Sequence, residues 1–320
     1  MREIVTLTMN PALDITTATG RVIATDKVRC AAPRRDPGGG GINVARILHV
    51  LGAPATAVFP SGGHSGRALE DLLATEGVRS RSITIRGSTR ESFTIDEEQT
   101  GLQYRFVLPG PSLTPREVES CLDALVQSAK DAAFVVASGS LPPGVPVTFY
   151  QTLADALADS SARLVVDTSG PPLRALERGV YLLKPSIREL REHVGRDLRT
   201  LDEQVSAARE LITAGICAVV VLSLGPDGAV HVTAAEEEHC PSLAVPVVSA
   251  VGAGDSMVAG IIVGLERQWD LREAVRYGVA AGVAMLRTPG TAPCRRSDVD
   301  QCYAALVRRA TVGQHSDAVY

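Results

Sequence analysis

Residues 248–265 read VSAVGAGDSMVAGIIVGL. A strand-like approach gives way to Gly252-Ala253-Gly254-Asp255, and an apolar helix follows. Gly252 and Gly254 let backbone N–H groups approach an anion closely, at a helix end whose dipole favours negative charge. Asp255 falls in the first turn, where a carboxylate is placed to take a proton from a nearby hydroxyl. An anion nest beside a base is the apparatus of phosphoryl transfer to an alcohol. A plain glycine turn, with Asp255 as no more than a helix N-terminal charge, fits the same residues.

A second glycine-rich stretch, PGGGGINVARIL, spans residues 37–48. Each glycine costs about 1 kcal/mol against alanine in a helix interior, so four together must serve what lies in front of the helix. Neither stretch is a common nucleotide motif. The chain has no Gly-Lys dipeptide, which excludes a Walker A loop. Asn43 stands where the dinucleotide fingerprint needs its third glycine, which argues against NAD.

The elements that must position these residues follow from hydrophobic periodicity. Strands are predicted at 4–8, 55–59, 82–85, 133–137, 164–167, 181–184 and 219–224. Helices are predicted at 41–51, 66–76, 115–130, 147–157, 201–213, 252–267, 271–286 and 299–309. The runs FVVAS and AVVVLSL are apolar on both faces, as strands of a parallel sheet covered on both sides should be. The alternation predicts a doubly wound α/β fold, a mostly parallel sheet flanked by helices. Segments 12–33 and 89–108 break the rhythm with interleaved polar and apolar residues, and predict hairpins of a small β-sheet lid. The expectation is a single domain over 1–310 with those two insertions, and a flexible tail at 311–320.

Composition bounds the function class. With 320 residues, 45% of them hydrophobic, the chain can bury a large core. No apolar run reaches the ~18 residues of a membrane span, and the N-terminus enters a strand pattern directly, so neither a membrane partner nor a signal peptide is expected. Six scattered cysteines without a C-x-x-C pair predict reduced thiols in a cytoplasmic protein. A net charge of −4, with basic residues dispersed, predicts no nucleic-acid partner.

PGGGGINVAR and VGAGDS resemble the two signatures of the ribokinase/PfkB family of sugar kinases. The resemblance continues through TLTMNPALD, KVRCAAP, QYRFVLPG, SGSLPPGV, VVDTSG, LKPS, VLSLGPDGAV, GVAAGVA and PGTAPC, in order over residues 4–309. It implies a ribokinase-like fold, ATP as phosphoryl donor, Mg2+ and, in many members, K+. Asp255 is then the base, with the amides of Gly252, Ala253 and Gly254 holding developing charge. Implied sugar contacts are Asp14, Gly39, Gly40, Asn43 and Ser138, the glycines leaving room for substrate. Lys27, Arg29 and Arg90 would read a sugar phosphate through charge-assisted bonds, while Arg105 is either a further cation or a solvated lid residue.

On the nucleotide side the resemblance implies Lys184, Ser186, Ser223, Gly225, Gly228, Val279 and Val283. Val279 and Val283 lie in a small-residue helix face that either packs adenine or packs another helix. Ser186 and Glu189 occupy the positions of the family's Asn-x-x-Glu magnesium pair, but serine is shorter than asparagine. Either a water fills the gap or Ser186 caps the next helix. Ser249, Val251 and Gly290 match the potassium-binding positions. Relatives acting on fructose 1-phosphate and tagatose 6-phosphate typically read GGKG where this chain has Gly38-Gly39-Gly40-Gly41, so fructose 6-phosphate is the expected substrate. A homodimer through the lids is expected, since a small sheet cannot bury Val28, Phe93, Ile95, Tyr104 and Phe106 alone. A sugar-phosphate sensor without turnover is the alternative of a different class.

Overall fold

The computed structural model describes residues 1–316. A nine-stranded sheet takes β1 (Glu3–Leu7), β4 (Ala55–Ser61), β5 (Arg79–Thr84), β8 (Ala132–Ser138), β9 (Arg163–Asp167), β10 (Val180–Leu183), β11 (Cys217–Ser223), β12 (Ala229–Val232) and β13 (Glu237–Cys240). A four-stranded sheet takes β2 (Ala12–Thr19), β3 (Arg34–Gly38), β6 (Arg90–Glu97) and β7 (Gln103–Val107). In the large sheet the order is β13-β12-β11-β10-β9-β8-β1-β4-β5, and every strand runs parallel to the others except β12, which is antiparallel to both of its neighbours. The chain leaves β1 for β4 on one side and later returns to β8 on the other. Such a reversal opens a crevice at the carboxyl ends of the central strands.

Helices cover both faces. On one side lie α3 (Pro115–Ala129), α4 (Phe149–Ala156), α5 (Pro171–Arg174), α6 (Ile187–Val194) and α7 (Leu201–Thr213); on the other, α1 (Gly40–Val50), α8 (Ala253–Glu266), α9 (Leu271–Met285) and α10 (Arg296–Ser316). Helix α2 (Gly63–Thr75) packs Leu69 and Leu73 against Phe59 and Ala57 of β4 and Ile42 and Ala45 of α1. Several helix starts are written locally: Thr114 with Glu117 and Thr200 with Glu203 form capping boxes, and Asp270 accepts from the Glu273 amide. Every residue of β8 is buried, as its unbroken apolar run requires.

Three expectations are corrected. The first lid hairpin pairs β2 with β3, so the return strand is residues 34–38 and ends inside the glycine run, whereas 20–33 is mostly a connecting loop. Helices α5 and α6 and strand β13 were not anticipated, because four- to eight-residue elements carry too little periodicity. Helix α10 continues to Ser316, beyond the predicted helix end at 309; residues 317–320 of the expected tail lie outside the described residues. Among the described residues, no helix is long and apolar enough to cross a membrane.

Candidate active site

A crevice of about 350 Å³ opens where the carboxyl ends of β8 and β9 meet the small sheet. It brings together Asp14, Gly39, Gly40, Asn43, Arg90 and Ser138 with Gly252, Asp255, Val251, Gly290 and Glu189. Arg105, exposed on β7, also lines it. The small sheet therefore forms one wall, delivered by the β2–β6 and β6–β7 pairings.

The glycine run is dictated by close backbone approach. Gly39 has φ +112°, a conformation side chains rarely adopt, and a Cβ there would stand 2.6 Å from Thr8 Cγ2. A Cβ at Gly40 would collide with Ser138 Oγ, and one at Gly41 with the Leu7 carbonyl. Thus the protein's own neighbours already forbid side chains here, and Gly39 and Gly40 also line the crevice. Thr8 Oγ1 accepts the Ile42 amide at 2.8 Å and pins the helix start to β1.

Asp255 sits at the third position of α8, behind Gly252 in the left-handed conformation. The Gly254 and Asp255 amides have no acceptor among the described residues, so this helix end offers donors to an anion. Asn43 Nδ2 donates to Asp255 Oδ2 at 2.9 Å, and Ser138 Oγ reaches Oδ1 at 3.5 Å. Burial pushes the Asp255 carboxyl up to about 6 and the Asp167 charge adds to this, against the pull of Asn43, Lys184 and Ser138. A carboxylate ionised at neutral pH yet more basic than usual suits a general base.

Asp167 is the residue that sequence reasoning missed. It ends β9 beside Ser138 of β8, and its Oδ1 accepts from Lys184 Nζ at 3.1 Å. A polar residue at the carboxyl end of a buried parallel strand was the available signal. Lys184 is 6% exposed beneath the start of α8, and Asp167 holds its ammonium there. Burial alone would lower its ammonium, but Asp167, Glu189 and Asp255 hold it above the ordinary range. Ser186 caps α6: its Oγ accepts the Glu189 amide, and Glu189 Oε2 accepts the Ser186 amide at 2.8 Å. The capping alternative holds, and Glu189 keeps its place on the crevice wall.

On the lid side, burial pushes the Asp14 carboxyl up to about 6, opposed by Arg90 and Arg105. Arg90 is fixed by the Asn10 carbonyl, with its Nη2 donating at 3.1 Å. Lys27 and Arg29 are exposed on the 20–33 segment and do not line this chain's crevice. Val279 and Val283 lie in the core, where Gly260 and Gly278 let α8 and α9 approach closely, so helix packing accounts for that face. Ser223, Gly225 and Gly228 lie around the β11–β12 turn outside the crevice lining; Gly225 faces open space, whereas a Cβ at Gly228 would meet the Cys240 carbonyl. Ser249 is buried and accepts the Val251 amide at 3.2 Å.

The model of the pfkB family of carbohydrate kinases matches residues 7–298. The chain belongs to this family. This kinase is 57% identical over 312 residues to the ATP-dependent 6-phosphofructokinase isozyme 2 of Mycobacterium tuberculosis, covering 98% of this chain and 92% of that one. Its fold is similar to phosphofructokinase-2 from Escherichia coli in complex with potassium (TM-score 0.92, 40% identity, 96% of this chain and all of that one covered). The same relative in complex with fructose-6-phosphate superposes with a TM-score of 0.90 at 39% identity, over 96% of this chain and 100% of that one.

Proposed function

We propose that this kinase is an ATP-dependent 6-phosphofructokinase, which transfers the γ-phosphoryl group of ATP to the C1 hydroxyl of fructose 6-phosphate. The products are fructose 1,6-bisphosphate and ADP, a step of glycolysis. The observation that carries this reading is a half-buried carboxylate, Asp255, at an open helix N-terminus in a crevice whose lid wall supplies Arg90 and Arg105. Arg90 and Arg105 meet the 6-phosphate by charge-assisted bonds. Asp14 and Asn43 orient sugar hydroxyls. Asp255 takes the C1 proton as the oxygen attacks, and the amides around Gly252, Ala253, Gly254 and Asp255 hold charge developing on the transferred group. Ser223 and Gly225 supply the remote nucleotide contacts.

Among the described residues no cluster of three His, Cys, Asp or Glu side chains stands ready for a metal. Mg2+ keeps most of its waters and would enter with the phosphates, so one carboxylate at the wall would be enough to hold it. Glu189 is that carboxylate. When bound, the ion neutralises phosphate charge. The neutral oxygens of Ser249, Val251 and Gly290 suit K+. Six free thiols, five of them buried, support a cytoplasmic, reducing location.

Gly40 supports the substrate choice. A lysine there would need Ser138 to move and would add charge beside the sugar. Accordingly kcat/KM for fructose 6-phosphate should exceed that for fructose 1-phosphate and tagatose 6-phosphate by about tenfold or more, equal to roughly 1.4 kcal/mol of transition-state binding. An ATPase-coupled assay across the three sugars measures this. Equal or reversed preference would favour a 1-phosphofructokinase or tagatose-6-phosphate kinase.

The lids support a homodimer. Leu102, Phe106, Val107 and Leu108 are exposed on or beside β7, an edge strand of the small sheet. Such an edge pairs readily with another chain. Light scattering at micromolar concentration should give a dimer, and Phe106→Asp should shift it towards monomer with loss of activity. A fully active wild-type monomer would contradict the assembly.

A further inference from the structure

Three residues with orphaned buried polar atoms line one cavity next to the base. Asn43 Oδ1, Ser256 Oγ and Thr291 Oγ1 have no hydrogen-bond partner among the described residues. Ser256 is fully buried and Thr291 is 5% exposed. All three residues line one small cavity of about 10 Å³, walled in part by Arg46, Ile47 and Met285. Buried polar groups left without partners are costly, and neighbouring orphans point to a shared one. The volume is about that of a single water, which needs two to four polar partners. Arg46 also lines the cavity, and its fixed positive charge opposes a metal ion.

The wall is held rigidly. Arg46 Nη1 donates to the Thr291 carbonyl at 2.8 Å, and its Nε and Nη2 grip Glu76 at 2.6 Å each. Arg46 stands one turn after Asn43 on α1, and Ser256 follows Asp255 on α8. The cavity thus joins α1, α8 and the 289–293 segment.

We propose that this cavity binds one ordered water, which accepts from the Ser256 and Thr291 hydroxyls and donates to Asn43 Oδ1. The water fixes the Asn43 amide with Nδ2 towards Asp255, making Ser256 and Thr291 positioning residues for the base. Without it the amide is free to turn and set Oδ1 against the carboxylate, removing a bond that favours the ionised base. The role in catalysis rests on Asp255 being the base; the water does not.

Two arms test it. A crystal structure of the wild-type protein resolving ordered solvent should show one water within hydrogen-bond distance of all three oxygens. A dry cavity, or a metal ion in it, overturns the proposal whatever reaction the enzyme performs. In kinetics, the Ser256→Ala/Thr291→Val double variant should lose about three- to tenfold in kcat, with a smaller change in the sugar KM. Its acid limb of kcat should move to higher pH, and Thr291→Ser alone should retain wild-type behaviour. Ser138, Asp167 and Lys184, which also face Asp255, are unchanged in these variants, so the limb reports the amide. A folded double variant with unchanged kcat and acid limb would overturn the positioning role. If the double variant does not fold, the wild-type crystal structure decides. An active Asp255→Asn enzyme would instead sink the catalytic reading and leave the water standing.

Discussion

Asp255→Asn is expected to lower kcat by about 10²- to 10⁴-fold while ATP and fructose 6-phosphate continue to bind. A sugar hydroxyl is a poor nucleophile at neutral pH, and a positioned base contributes most at the moment of attack. Asparagine keeps the size of the side chain but takes no proton. It also removes a negative charge next to the nucleotide phosphates, so ATP affinity should hold or rise slightly. Asp14→Asn should separate from it by raising the sugar KM more than it lowers kcat, because Asp14 lies on the lid wall with Arg90 and Arg105. Steady-state kinetics with an independent binding measurement resolve the two. Retention of more than about a tenth of wild-type kcat by Asp255→Asn, with chemistry rate-limiting, would remove Asp255 from the mechanism.

Lys184→Met is expected to destabilise the fold by about 3–5 kcal/mol, because it leaves a buried carboxylate unpaired. The pair is enclosed: the Lys184 side chain is 7% exposed and that of Asp167 14%, with 3.1 Å between their charged atoms. Loss of the ammonium would also leave Asp167, Asp255 and Glu189 facing one another without a cation between them. Adding Asp167→Asn to Lys184→Met should recover most of the stability, since neither group is then a lone buried charge. Denaturant unfolding measures both. A loss below about 1 kcal/mol in the single variant would mean that water reaches the pair and screens it.

The parts of the site that were legible in sequence are those with local causes. The turn at Gly252 and the first-turn Asp255 follow from residue types within one helix start, and the structure places both on the crevice. The glycine run was legible as a feature but its cause was not, because Ser138, Leu7 and Thr8 come from other strands. Asp167 was passed over since its meaning lies in its neighbour across the sheet, Ser138, and in Lys184 two segments later. Lys27, Arg29, Val279 and Val283 were assigned from resemblance, and packing puts the valines in the core and the two cations on an exposed loop. The short helices α5 and α6 escaped periodicity altogether; α6 is instead written in its Ser186–Glu189 capping box, a signal present in the sequence.

The most direct test of the central claim follows the phosphoryl group itself. Wild-type protein is incubated with fructose 6-phosphate, Mg2+ and ATP labelled in the γ-phosphoryl group, and the labelled product is identified. The account predicts fructose 1,6-bisphosphate carrying the label at C1, formed in step with ADP. Binding of fructose 6-phosphate without turnover would make the protein a sensor, and label released as free phosphate or placed on another sugar carbon would contradict the proposed chemistry.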